Sequence, residues 1–494
     1  MKSQNLNNSS YYLTTTLPYV NDRPHIGHAL EFVQADVYAR SLRLQGHQVF
    51  FNTGTDEHGQ KIKQKAAEAN QDPKTYVDSF ADQFKDLLSK FNISNDSFIR
   101  TTDPAHEAAA AEIWKRCDES GDIYKKKFTG QYCVGCELFL TERDLVDGNC
   151  PDHNKPPETI TTENYFFKFS RYQQPLLDYL SDPTVIIPEH LRQWAIDFVR
   201  GGLEDFSISR HVDQLDWGVP VPGDADHVMY VWFDALTNYI STLGWPFDSA
   251  QGKPSDSEES LFEEFWNNSN TLQFAGKDQV RMQSLMWQAM LFSAGEQPTD
   301  QIFYHGFITS EGQKMSKSIG NVIDPFAIID EYSTDALRYY LLRHIHPIDD
   351  SDVTMAKFAE SYNASLVNGL GNLVSRIMTM VKSYEVEYGV QDTEEILEGE
   401  EAADFFRLIT DFKFNEAMDW LWSELSLLDE YIATEEPFKT IKTNETKAKA
   451  DVAYCVIRLH ELVTLLQPVM PDTAETILSA IENVAKPESL FPRK

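Results

Sequence analysis

Residues 24–30, PHIGHAL, open a helix-like segment with His25, Gly27 and His28, all of which cost helix propensity. A helix N-terminus offers unsatisfied N–H groups and a partial positive charge, and a phosphate sits well there. At i and i+3, His25 and His28 are expected to share one helical face and both donate to phosphate oxygens. Gly27 is expected to let a flat base or a phosphate approach the backbone closely. A single histidine would read as a polar helix start, but with 13 His and 23 Gly in 494 residues the pattern H-x-G-H should arise by chance only about 0.02 times. A second stretch, KMSKS at 314–318, follows SEGQ. A lone K-x-x-K is usually a solvated loop. Lys314 and Lys317, on a loop loosened by Gly312 and serines, also suit closing over a triphosphate and neutralising transition-state charge. A third cluster, YCVGCELFLTERDLVDGNCPDH, pairs Cys133-x₂-Cys136 with Cys150-x₂-His153. Paired x₂ spacings let two ligands from each turn meet one tetrahedral Zn²⁺, and four protein ligands leave no open position, so the site reads as structural.

These residues need a scaffold. YYLTTTLPYV (11–20) is β-branched and aromatic and ends in Pro and Asn-Asp, a buried strand leaving into a loop. Helical periodicity runs from Gly27 to about Gln45, QVFFNT (48–53) reads as a second strand, and 56–70 as a second helix. Strand, helix, strand, helix begins a parallel, doubly wound sheet, whose ligands bind at the C-terminal edge of the strands. Residues 118–170, rich in Gly, Pro, Cys and short β-like runs, read as an insertion. Strand and helix alternation returns with VMYVWFDAL (228–236), TLQFAGK (271–277), a helix over 278–294 and QIFYHGFI (301–308). After about residue 355 strand signals vanish and amphipathic helices run to about 483, a helical bundle.

The formal net charge of −34, from 43 Lys and Arg against 77 Asp and Glu, repels nucleic acid overall, so an RNA partner would be met by local basic patches or by stacking. Five cysteines, an odd number, argue against a disulfide framework, and Cys117 and Cys455 read as ordinary buried thiols. The N-terminus, MKSQNLNNSS, lacks the apolar run of a signal peptide, and no transmembrane-length apolar run occurs, so a cytoplasmic protein is expected.

PHIGH followed by KMSKS resembles the two signatures of class I aminoacyl-tRNA synthetases. The surrounding stretches TTTLPYVNDRPHIGH, TGTDEHGQKI, VWFDALTNYI, GKD (276–278) and GFITSEGQKMSKSIGN are similar, in order, to those of the methionyl-tRNA synthetase family. The resemblance implies an α/β fold: a Rossmann-like parallel-sheet core split by a zinc-binding connective insertion and followed by an all-α anticodon-binding bundle. The expected domains are 1–117 and 206–310 for the two core halves, 118–205 for the insertion with its knuckle, 311–355 for the KMSKS loop and stem-contact region, and 356–494 for the bundle. It implies activation of L-methionine with ATP and Mg²⁺ to methionyl-adenylate, releasing pyrophosphate. Transfer to the 3′ end of tRNA(Met) follows, for translation initiation and elongation.

On this resemblance His25, His28, Lys314 and Lys317 are catalytic, and Gly27, Glu31, Gly276 and Asp278 join His25, His28 and Lys317 around ATP. Arg210 lies near the adenylate. Thr16, Leu17, Tyr19, Asp56, Trp232, Ala235, Leu236, Tyr239 and Gln283 surround methionine. The residues agree in kind: aromatic edges favour a polarizable thioether, and Trp232, Ala235 and Tyr239 share a helical face at i, i+3 and i+7. An aromatic stripe alone more often packs a core. Asp56 can hold the substrate's ammonium, cap the helix over 56–70, or do both. Gln283 stands where the family leads one to expect a histidine; glutamine can hydrogen-bond but cannot titrate. In the bundle, Asn372 and Arg376 match anticodon-contacting positions. Phe438, where a tryptophan is more usual, either stacks on a base or anchors a buried loop. Lys439, Lys442, Lys447 and Lys449 form the most basic local stretch, a phosphate contact or a solvated loop.

Residues 118–205 leave no room for the large editing domain of the valine, isoleucine and leucine enzymes. The chain ends just after the bundle, so a monomer is expected. A small-molecule adenylyltransferase also uses H-x-G-H but lacks the helical tail and the knuckle. An RNA-binding paralogue without activity is disfavoured by intact His25, His28, Lys314 and Lys317.

Overall fold

A computed structural model of the chain describes residues 9–135, 138–140, 142–151, 154–246, 260–315 and 321–494. They divide into two compact units. The first comprises 1–23, 48–86 and 95–305, and the second 24–47, 87–94 and 306–494.

The first unit is built on a six-stranded parallel sheet. Its strand order is Ser97–Arg100, Gln48–Thr55, Ser10–Thr15, Asn270–Gly276, Gln301–His305 and Ile186–Ile187. Leu13 pairs with Phe51 on one side and Leu272 on the other, and Phe274 pairs with Phe303. Leu13, Phe51, Phe274 and Phe303 are each fully buried, because a parallel sheet is covered on both faces. The outermost strand, Ile186–Ile187, pairs with Ile302 and Phe303, so the chain returns to the parallel sheet inside the 118–205 segment. The segment also holds the helices Gln173–Tyr179 and Glu189–Arg200, and with Phe206–Ser207 just beyond it forms an antiparallel sheet ordered Leu138–Leu140, Ile123–Cys133, Glu158–Phe167 and Phe206–Ser207. VMYVWFDAL does not continue as a strand: Asp224–Met229 closes a small antiparallel sheet and Val231–Ala235 turns helical.

The second unit contains the PHIGH helix, Ile26–Leu44, together with the C-terminal helices, so the compact units do not follow chain order. Its hub is Arg338, which is fully buried and meets Asp36 of that helix at 2.7 Å. Arg338 also donates to the carbonyls of Val469, Pro468 and Phe91 at 2.8, 2.9 and 3.1 Å. Asp36 accepts in addition from Arg40 and from the amide and hydroxyl of Ser94. Burial opposes the Asp36 charge, but the two guanidinium groups and the Ser94 bonds outweigh it and hold the carboxyl below its ordinary value. The region beyond residue 355 is helical, with long helices at Phe414–Glu435 and Glu445–Leu466 and breaks around 385–392 and 441–444.

Candidate functional site

His25 is not inside the helix. It is the N-cap, in an extended conformation, and the helix begins at Ile26. Its Nδ1 accepts from the Gly27 amide at 3.1 Å, while its own amide donates to His28 Nδ1 at 3.2 Å. This reciprocal capping box is made by two imidazoles instead of the usual Ser/Thr and Glu. The rings stack, with centroids 3.8 Å apart and planes 20° apart. Because each Nδ1 accepts a backbone hydrogen, the neutral ring carries its proton on Nε2. Both imidazoles are thereby set as Nε2–H donors beside a helix N-terminus. Gly27 leaves space beside the His25 ring. A Cβ there would meet His25 Cε1 at 2.9 Å and Nδ1 at 3.0 Å, so the missing side chain makes room for the His25 ring itself.

A residue downstream of the second signature meets the first helix through the backbone. The Ile26 amide, first in the helix, donates to Ile323 O at 3.4 Å. Upstream, Ile308–Ser310 and Gln313–Lys314 form a hairpin in which Thr309 pairs with Lys314. Its turn, Glu311 and Gly312, has positive φ of 55° and 71°. Asp352 Oδ1 accepts from the Gly312 amide at 2.6 Å, and Asn321 Nδ2 donates to Ser310 O at 3.3 Å. Lys317 lies outside the described residues, and Lys314 is described through its backbone. Glu31 is buried on the PHIGH helix.

In the first unit the expected residues gather at the C-terminal edge of the parallel sheet, where ligands bind in such folds. Thr16, Leu17 and Tyr19 follow the Ser10–Thr15 strand, Asp56 follows Gln48–Thr55, and Gly276 and Asp278 end and follow Asn270–Gly276. Tyr19 and Asp56 pair as a parallel bridge, with the Asp56 amide donating to Pro18 O at 2.9 Å. Asp56 therefore does not cap a helix; the next helix starts at Gln60 with Gly59 as its N-cap. Trp232 and Ala235 lie on the helix Val231–Ala235, followed by Leu236, and Tyr239 on the next turn. Tyr239 packs on Trp287 at 5.8 Å, one turn beyond Gln283, and Tyr19 and Trp232 pack against the same core. Gln283 is buried and donates to Gln273 Oε1 at 3.0 Å, which fixes its amide without a titratable group. Arg210 is buried between the rings of Tyr132, Phe139 and Tyr230, at 5.1, 5.1 and 4.7 Å, and bonds to Ser207 and Ser209, at the base of the insertion.

Of the four candidate zinc ligands, Cys136 and His153 lie outside the described residues. Cys133 ends a strand and Cys150 opens a tight turn in which the Asn154 amide donates to Cys150 O at 2.8 Å and the Cys150 amide to Lys155 O at 2.9 Å. Both sulfurs are buried. Among the described residues, no group of three His, Cys, Asp or Glu is placed to hold a metal. Cys117 and Cys455 are buried elsewhere, and burial pushes both thiols up to about 12, which suits inert core residues.

In the bundle, Asn372 and Arg376 stand one turn apart on the helix Asn372–Tyr384, and Arg376 makes an exposed pair with Asp429 at 3.0 Å. Phe438 is 45% exposed, so it is not a buried anchor. Of the four lysines near it, Lys439, Lys447 and Lys449 meet acids. Lys439 meets Glu436 at 2.5 Å, Lys447 meets Glu435 and Asp451 at 2.5 and 2.9 Å, and Lys449 meets Glu445 at 2.8 Å. Local acids thus offset the basic stretch that the sequence suggested.

Comparison with known proteins agrees with this geometry. The sequence matches the family described as tRNA synthetases class I (M) over residues 11–156 and 152–378. It is 39% identical to the methionine–tRNA ligase of Caldanaerobacter subterraneus subsp. tengcongensis over 97% of this chain and 76% of that protein. It is 40% identical to that of Thermosynechococcus vestitus over 94% of this chain and 89% of the relative. The structure of Mycobacterium tuberculosis methionyl-tRNA synthetase bound by methionyl-adenylate superposes with a TM-score of 0.86 at 35% identity, covering 98% of this chain and 99% of that one. The chain belongs to the methionyl-tRNA synthetase family.

Proposed function

We propose that the chain is a methionine–tRNA ligase that activates L-methionine with ATP and transfers it to tRNA(Met) for translation initiation and elongation. The observation that carries this reading is the double-imidazole cap at the start of the Ile26–Leu44 helix, whose backbone bonds to both Nδ1 atoms leave the ring protons on Nε2 at a helix N-terminus, where phosphate is favoured. The methionine carboxylate attacks the α-phosphorus, a new P–O bond forms, and the bond to the pyrophosphate breaks. No covalent bond to the protein is needed, so the work is positioning and charge stabilisation. His25 and His28 donate to the phosphates, with Gly27, Glu31, Gly276 and Asp278 around ATP. Lys314 and Lys317 neutralise charge on the leaving pyrophosphate, and Mg²⁺ accompanies ATP. Asp56 holds the ammonium, and Thr16, Leu17, Tyr19, Trp232, Ala235, Leu236, Tyr239 and Gln283 enclose the thioether side chain. Arg210, seated within the first unit, acts on the adenylate side. A terminal ribose hydroxyl of tRNA then attacks the adenylate carbonyl and AMP leaves.

The chain's residues fit one structural Zn²⁺. Cys133 and Cys150, with Cys136 and His153, would hold the two turns of the insertion together. Helices 356–494 read the anticodon through Asn372, Arg376 and Phe438. No described helix is long and apolar enough to cross a membrane, and the protein works as a cytoplasmic monomer in this reading. Charging of tRNA(Met) tests it: purified protein should form methionyl-tRNA from methionine and ATP, and failure to charge any tRNA with methionine would overturn it.

A further inference from the structure

The first unit buries a polar network that none of the residues above accounts for. Asp234, fully buried, accepts from His58 Nδ1 at 2.6 Å and from His106 Nε2 at 2.9 Å. His106 Nδ1 accepts from the Ser241 hydroxyl at 2.9 Å, and His58 Nε2 faces Glu107 at 3.9 Å. The network ties four elements. His58 follows the Gln48–Thr55 strand, two residues after Asp56. His106 and Glu107 lie on the helix Pro104–Glu119. Asp234 stands between Trp232 and Ala235, and Ser241 two residues beyond Tyr239. Each end is thus within two residues of a side chain assigned to methionine. Replacing a buried polar network by apolar residues often costs nothing in stability, so what such a network supplies best is a single geometry.

We propose that His58 is a positioning residue for methionine, its ring clamping the Asp56 segment to the Trp232–Tyr239 helices through Asp234. The inference rests on the ligase reading above. The groups facing His58 support it from every packed element. Asp234 comes from the helix Val231–Ala235, and Glu107 and His106 from Pro104–Glu119. The Trp217 ring packs edge-on at 5.5 Å, and its indole N–H bonds Glu57 O. On the same segment, the Glu57 carboxylate is held by Arg100 at 2.6 and 2.9 Å. Burial opposes the His58 charge, but Asp234, with Glu107 and Glu57, outweighs it and holds the ring above its ordinary value. A raised imidazole loses its charge only above its ordinary value of about 6.5; the neutral ring keeps its Nδ1–H on Asp234 but loses the charge that strengthens that bond and faces Glu107, so the clamp is intact at pH 6 and weaker on the alkaline side.

The test is the pH dependence of methionine KM and of kcat in pyrophosphate exchange, from pH 6 to 8, with KM expressed in the ammonium form of methionine. The full-length chain is compared with His58→Asn, whose amide can keep the Nδ1-side donor to Asp234 but cannot titrate, and with His58→Ala. The wild type should show methionine KM rising about tenfold across the range with kcat nearly constant, the signature of ground-state positioning. His58→Asn should fold and show a flat KM between those limits, and His58→Ala a flat KM at or above the upper limit. A wild-type KM that does not rise, or a slope that survives in His58→Asn, overturns the proposal; so does a loss confined to kcat. His58→Asn carries the test where His58→Ala fails to fold. No exchange with methionine by the wild type would instead overturn the ligase reading.

Discussion

Gly27→Ala separates folding from function at the PHIGH helix. Gly27 does not need positive φ, so an alanine backbone is allowed there. The new Cβ would lie 2.9 Å from His25 Cε1 and 3.0 Å from Nδ1, so the ring must swing away. Two stability terms then oppose each other. Losing the side-chain cap costs about 1 kcal/mol, while replacing glycine by alanine in a helix gains about 0.8–1 kcal/mol. The net change is close to zero. The chemistry has no such compensation. A displaced imidazole no longer presents its Nε2–H, and removing one pre-set donor to transition-state charge costs roughly 2.7–4 kcal/mol, or 10²–10³ in rate. Thermal unfolding and single-turnover formation of the adenylate at saturating ATP and methionine measure the two effects separately. We expect a Tm within about 2 °C of wild type, given that 1 kcal/mol shifts a domain of this size by only a few degrees, and a rate at least 100-fold lower. A rate within threefold of wild type would show that the His25 ring position is not what the glycine protects.

Further outcomes follow from other sites. Arg338→Met leaves Asp36 buried without its main partner and should cost about 3–5 kcal/mol in urea unfolding; a loss under 1 kcal/mol would mean that the hub is incidental. Because the Asp36 carboxyl is held low, its contribution is present above about pH 4 and is lost on acidification, so the Arg338→Met penalty should shrink towards pH 2. Chelation should release one zinc per chain and open amide exchange within 123–167 while the core sheet stays protected; a single loss of all structure would contradict a local role. Phe438→Ala should lower kcat/KM for tRNA about tenfold, within the range of one base stack, and leave pyrophosphate exchange untouched.

What the sequence revealed depended on distance along the chain. H-x-G-H is local, and its partners Gly27 and His28 bond within one turn, so its importance was legible. Its geometry was not, because a histidine capping a helix and a histidine inside one look alike until φ is known. The sheet was legible because an apolar run between turn signals marks a strand covered on both faces, and the loop after each such strand marks the ligand edge. Asp56 fell on that edge, though as a bridge partner of Tyr19 and not as a cap. VMYVWFDAL divides between two elements: Val228 and Met229 end a strand, and from Val231 the chain is helical, in line with the helical spacing of Trp232, Ala235 and Tyr239. The His58–Asp234–His106 network was invisible because its members are brought together only by the fold. Lys439, Lys447 and Lys449 looked basic as a run because their acidic partners lie a helical turn or more away.

The most direct test of the central claim is ATP–pyrophosphate exchange with each of the twenty amino acids in the absence of tRNA. The account predicts exchange with methionine alone, abolished by His28→Ala. Exchange with a different amino acid would keep the phosphate site and contradict the reading of Trp232 and Tyr239, and exchange with none would contradict the activity itself.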